Sequence, residues 1–334
     1  MTVAVVVAFA AAYLLIATER VHRVTAALAG AAAMVLLGVV DARVAFFSEN
    51  TGVDWNVIFL LLGMMIIVGV LKQTGVFDFL AIWAAKRVDG RPFALMVMLV
   101  CITAVASAML DNVTTVLLIA PVTLLVCERL ALVPVPFLIA EALASNIGGM
   151  ATLVGDPPNI IIGSRAGLSF NDFIVNLAPL TVLIMIVFIG LCRLMFASAF
   201  TYDEARVAEI RKLDEREAIR DHGLLVRSLI VLTLVMIGFV AHSALQVDPS
   251  LVALLGAGAL VLLSKLPPAD YLKEVEWPTL VFFMGLFVMV GALVEVGAIA
   301  RLGEVLTDAV GGRFFLASSV LLWGSALLSG IVDN

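Results

Sequence analysis

A chain of 334 residues that is 63% hydrophobic and only 14% charged cannot be a soluble globular domain, whose surface has to be polar. Its formal net charge of −6 excludes little, because in such a chain the placement of charge matters more than its sum. Cys101, Cys127 and Cys192 form no CxxC pair and stand in or beside apolar runs, which argues against a disulfide or zinc framework.

The run Thr2–Ala17 has no basic leader and no small-residue cleavage site, so it reads as a retained first span. Further spans are predicted at 24–40, 55–71, 173–196, 228–245, 251–264 and 277–294, and a last apolar run covers Phe314–Val332. A span needs roughly 20 residues to cross about 30 Å of hydrocarbon, so the shorter of these are expected to extend into their flanks. Regions 92–130 and 136–163 are apolar but broken by polar residues. We place the N-terminus outside and let 92–130 return to its own side as a hairpin. Sixteen of the twenty lysines and arginines then fall inside, leaving Arg43, Arg165, Arg301 and Arg313 outside. The hydrophilic stretch 202–222 mixes both signs. It reads as a cytoplasmic linker or surface helix, with docking of a partner ATPase as the sharper alternative.

The chain repeats itself. Residues 53–112 align with 275–334 at a constant offset of 222, pairing Trp55 with Trp277, Gly63 with Gly285, Gly75 with Gly297, Arg91 with Arg313 and Ser107 with Ser329. The pairing ends with Asp111-Asn112 on Asp333-Asn334. An odd number of crossings separates the copies, so they enter the bilayer from opposite sides, a mark of secondary transporters. The expected division is a first repeat over 1–201, with hairpin 92–130 and broken helix 136–163, a linker over 202–227, and an incomplete second repeat over 228–334. The second copy stops where the first begins its return, which reads as a fragment.

Two constellations carry chemistry. In Ser107-Ala-Met-Leu-Asp111-Asn112-Val-Thr114-Thr115, an acid, an amide and hydroxyls interrupt an apolar run. At membrane depth such a break survives only when buried in protein or lining a wet cavity. We expect a re-entrant hairpin with Asp111-Asn112 at its tip, and Asn112 capping the second arm. The second constellation is EALASNIGGMATLVGDPPN, from Glu141 to Asn159. Gly148-Gly149 and Pro157-Pro158 disfavour continuous helix, and Ser145, Asn146, Thr152, Asp156 and Asn159 supply oxygens and amides. The ion-binding candidates are therefore Asp111, Asn112, Thr114, Thr115, Ser145, Asn146, Gly148, Gly149, Thr152, Asp156, Asn159, Asp333 and Asn334. Asp111, Glu141 and Asp156 are candidate proton carriers, since carboxyls withdrawn from water can exchange protons near neutral pH. The cysteines read as apolar filler more than as ligands for As(III). His22, His222 and His242 are isolated and receive no role. No GxxxxGK, HExxH, GxGD or GxSG occurs, so neither a P-loop ATPase nor an intramembrane hydrolase is indicated. No metal site and no cofactor is expected, and nothing points to nucleic acid.

Together the hairpin DN and SNIGGMATLVGDPPN motifs resemble the ion transporter superfamily, which takes in arsenical pump membrane proteins, NhaD-type sodium/proton antiporters, the P-protein branch and the divalent-anion/sodium symporters. The resemblance covers nearly the whole chain and is strongest to the P-protein and ArsB-like permease branch. It implies an all-α polytopic membrane protein with inverted repeats, a re-entrant hairpin and broken helices, with a scaffold domain, a mobile transport domain, elevator-like movement and homodimers. In the symporters a Ser-Asn-Thr tripeptide at the hairpin tip contacts sodium and substrate. The matching position here reads Asp111-Asn112-Val113, and the extra carboxylate disfavours a multiply charged anion. Expected partners are a small inorganic ion, a coupling ion, the lipid bilayer, a second copy as homodimer and a possible separate ATPase subunit. Arsenite or antimonite efflux coupled to a proton gradient is the leading expectation. Sodium/proton exchange and citrate- or dicarboxylate-like anion permeation follow.

Overall fold

The computed structural model describes residues 1–18, 20–200, 214–311 and 313–332. Among these residues all regular structure is helical, and six helices are long and apolar enough to cross a membrane. The protein is a multi-pass membrane protein. In chain order the helices are α1 Thr2–Ala17, α2 Arg23–Leu36, α3 Ala42–Phe47, α4 Trp55–Gln73, α5 Val76–Arg87, α6 Pro92–Met109, α7 Asn112–Leu130, α8 Val135–Gly149, α9 Pro157–Ala166, α10 Phe170–Met195, α11 His222–Leu245, α12 Pro249–Ser264, α13 Pro268–Leu272, α14 Trp277–Glu295, α15 Ala298–Val310 and α16 Phe314–Val332.

Polar caps set several starts earlier than hydrophobicity alone places them. Ser169 closes a capping box with Asp172, so α10 begins at Phe170. Asp221 accepts from Leu224 N at 2.9 Å, so α11 begins at His222. Region 136–163 divides cleanly: proline at the first helical positions starts α9 at Pro157, after a short break. Within 202–222, residues 202–213 lie outside the described residues. The remainder is held to α5: Lys86 pairs with Glu215, Arg220 N donates to Thr74 O at 2.9 Å, and Gly75 leaves room for the Ala218 carbonyl. The Lys86 hydrogen bond keeps the Glu215 carboxyl below the usual range.

The internal repeat reaches the level of element boundaries. The starts of α4, α5 and α6 at 55, 76 and 92 recur in α14, α15 and α16 at 277, 298 and 314. Gly75 and Gly297, before α5 and α15, both take the left-handed conformation, with φ of 79° and 70°. A further match lies at a different offset. ALAGAAAMVL in α2, from Ala27, answers ALLGAGALVL in α12, from Ala253.

The chain forms two compact units, Met1–Ile58 with Glu276–Asn334, and Phe59–Val275. In the first, α14 packs on α2: a Cβ on Gly285 would meet the Ala27 carbonyl carbon at 3.0 Å, and Gly30 seats Met289. Thr51 Oγ1 donates to Glu295 Oε1 at 2.9 Å and ties the entry of α4 to the end of α14. In the second, α4 meets α12 in the same way: a Cβ on Gly63 would lie 2.8 Å from the Ala253 carbonyl carbon. Each of these two units thus pairs a helix of one copy with a helix of the other. The second unit also holds the apolar core where α6, α7 and α8 converge, built from Leu95, Leu99, Val122, Val126, Phe137 and Ala144.

Candidate functional site

The site grows from two interruptions on this core. The first lies between α6 and α7. Asp111 is the N-cap of α7, its Oδ1 accepting from Thr114 N at 2.7 Å. Capping therefore falls on Asp111 and not on Asn112, as the sequence suggested. Asp111 keeps extended backbone, while Asn112 is already the first helical residue. Relieved of that task, Asn112 turns its amide across the break. Nδ2 donates to Asn146 Oδ1 at 3.0 Å and to Asp156 Oδ1 at 3.3 Å.

The second interruption follows α8. Gly148-Gly149 was expected to break the helix, but both residues complete its last turn. They are needed for close approach. A Cβ on Gly148 would lie 2.2 Å from the Ala104 carbonyl oxygen, and one on Gly149 would lie 2.5 Å from that of Gly155. The break itself runs from 150 to 156. It is held by side chains: Thr152 Oγ1 donates to Ala108 O at 2.6 Å and accepts from Gly155 N at 3.1 Å. Asn159 Nδ2 reaches Thr152 O at 2.9 Å and Gly149 O at 3.2 Å. Thr152 and Asn159 thus shape the site instead of facing outward from it.

A pair of serines joins the two breaks. Ser107 Oγ donates to Ser145 O at 2.7 Å, and Ser145 Oγ to Asn112 O at 2.7 Å. In the sequence Ser107 stands only at the start of the first constellation. Its recurrence as Ser329 was the available signal. Asn112, Asn146 and Asp156 form one hydrogen-bonded group, with Ser145 one bond away. Asp111 and Asp156 sense each other's charge, and among the described residues no lysine or arginine pairs with either. Among the described residues, the second oxygen of Asp111 and the hydroxyl of Thr115 are buried with no hydrogen-bond partner, and the Thr114 side chain lies beside the Asp111 carboxylate. Carboxylate and hydroxyl oxygens placed at a helix break are the atom types that coordinate a cation or hydrogen-bond a ligand. Both carboxylates sit at helix N-termini, where the backbone field favours negative charge.

Glu141 stands apart from this group. It is 1% exposed, takes a 2.5 Å hydrogen bond from Thr123 Oγ1 on α7, and its other oxygen meets no hydrogen-bond partner among the described residues. Asp333 and Asn334 lie outside the described residues. Among the described residues no three His, Cys, Asp or Glu gather as a metal site. Cys127 and Cys192 are buried in the α6–α8 core and Cys101 is exposed.

Comparison with known proteins adds a family. Residues 13–334 match the family model described as citrate transporter, CitMHS. An uncharacterized transporter of Mycobacterium tuberculosis is 56% identical over 334 residues, covering 100% of this chain and 78% of the relative. The 46 kDa membrane protein of Mycobacterium leprae is 54% identical, with the same coverage of 100% and 78%. The P protein of Mus musculus is 33% identical over 403 residues, covering 97% of this chain and 48% of that protein.

Proposed function

This chain belongs to the citrate transporter family, and from that premise we propose that it is a secondary active transporter whose substrate crosses together with a cation held between Asp111 and Asp156. The observation that carries the reading is the cluster of two unpaired carboxylates and two asparagine amides at facing helix breaks. Such a site attracts cations. It repels a free multi-carboxylate anion by several kcal/mol at low effective dielectric. The family description nevertheless names citrate. A cation lying between the substrate's carboxylates and those of the protein reconciles the two. Asp111 and Asp156 are the sites through which a proton or metal cation is loaded, and Glu141 is a separate candidate proton carrier.

Alternating access follows in this reading from the two copies being inverted, with the hairpin and broken helix moving as one body. A second reading is arsenite or antimonite efflux driven by a proton gradient. It is favoured by the same carboxylates, which tolerate neutral arsenous acid better than an anion. The full-length protein in proteoliposomes separates them. Labelled citrate uptake that needs both a divalent cation and a pH gradient supports the first. Cation-independent arsenite flux with no citrate uptake supports the second. In either case Asp111→Asn is expected to abolish coupled flux while leaving insertion intact. Persistent transport with unchanged pH dependence in that variant overturns the assignment of the carboxylate.

A further inference from the structure

His242, which the sequence left without a role, closes a seam between the start of α10 and the end of α11. Its Nε2 accepts the backbone N–H of Phe170 at 3.2 Å and lies 3.1 Å from Ser243 Oγ. Beside it, Asn171 Nδ2 donates to Val240 O at 2.9 Å. Under these polar contacts the rings of Phe170 and Phe239 pack with centroids 5.5 Å apart, at 2% and 0% exposure. The seam is therefore ordered around a ring nitrogen that must keep its lone pair.

A second group across the seam makes the opposite demand. Asp172 is the acid in the first turn of α10, two residues beyond the Phe170 amide that His242 accepts from. Its Oδ2 takes 2.7 Å hydrogen bonds from Ser169 N and Ser169 Oγ, which closes the capping box of α10. The only charged side chain that α12 brings to this end of α11 is Asp248, its N-cap. One ring cannot satisfy both neighbours at once. Neutral, it accepts from the Phe170 amide. Carrying a proton on Nε2, it can no longer accept; it donates to Ser243 Oγ and is drawn to Asp172, in competition with the cap. Imidazole is the side chain whose ordinary charge change falls between about pH 5 and pH 8.

We propose that His242 is a proton-operated latch: the neutral ring locks the start of α10 onto α11, and proton uptake on Nε2 releases it. The latch lies close in sequence to the candidate site. Only 167–169 separate α10 from α9, whose first turn carries Asn159 and is capped by Asp156. The proposal stands on the seam alone and does not need the transport reading to hold.

The test is hydrogen–deuterium exchange of the full chain in lipid nanodiscs across about pH 5–8, followed on the peptide containing Phe170 and corrected for intrinsic exchange. In the wild type, protection is expected to fall about tenfold on acidification. In His242→Gln the side-chain oxygen accepts from the amide at every pH, so protection stays high throughout. In His242→Ala protection is low throughout. A wild-type segment that does not respond to pH, or a His242→Gln chain that responds like the wild type, overturns the latch. If His242→Gln does not fold, a pH response surviving in His242→Ala has the same force.

Discussion

The two copies of the arm helix, α6 and α16, have matching starts and opposite surroundings. Leu99 and Val100 of α6 are each 1% exposed, packed in the core with α7 and α8. Their counterparts at the 222-residue offset, Leu321 and Leu322 of α16, are 62% and 65% exposed. Local sequence marks where both helices begin, through the GR pair that stands before each arm. It does not set which of their faces is covered. Burial depends on α7 and α8 for α6, and no described element plays that part for α16.

This contrast can be broken by experiment. Leu99→Ala should cost about 2–5 kcal/mol, because the α6–α8 core cannot collapse around the void. In the chain of 334 residues Leu321→Ala should stay within about 0.5 kcal/mol, as expected for an exposed position. Unfolding of both variants by detergent titration measures the difference, and equal losses would show that α6 and α16 are covered alike. The glycine seats should behave in the opposite way, as equals. Gly63→Ala and Gly285→Ala each force a Cβ against a backbone carbon, and each should cost about 1–3 kcal/mol. Their thermal shifts should be similar and nearly additive. A large inequality would mean that the seats match in sequence but not in packing.

The smallest effect concerns the linker. α5 carries Lys86, which pairs with Glu215, whereas the equivalent position in α15 is the exposed Asp308. The depressed Glu215 carboxyl contributes stability above its unfolded-state pKa, and that contribution is lost as pH falls through the folded value. Glu215→Gln should therefore lower stability slightly at neutral pH and match the wild type in acid. Melting temperatures across a pH series check this.

Much of the architecture was legible because membrane spans and repeats leave strong sequence signals. The 222-residue offset reproduced helix starts, and the hairpin break fell at Asp111. The short-range chemistry was less legible. Whether Asp111 or Asn112 caps α7 turns on a one-residue change of backbone conformation. Gly148-Gly149 signals a broken helix in isolation, but a neighbouring backbone at Ala104 gives the pair another purpose. The α2–α12 match was hidden by its separate offset and by an alanine-rich composition that carries little information. His242 had no motif at all, since its partner is a backbone amide some 70 residues away in the chain.

The reciprocal seating of α14 on α2 and of α4 on α12 also sets a timetable for biosynthesis. At about 5–20 residues per second, a separation of roughly 250 residues means that α2 leaves the ribosome some tens of seconds before α14 exists. α4 waits for α12 over a shorter separation, about 190 residues. Neither copy can finish on its own, so the insertion machinery must keep the small-residue faces of α2 and α4 from finding other partners until their mates are made.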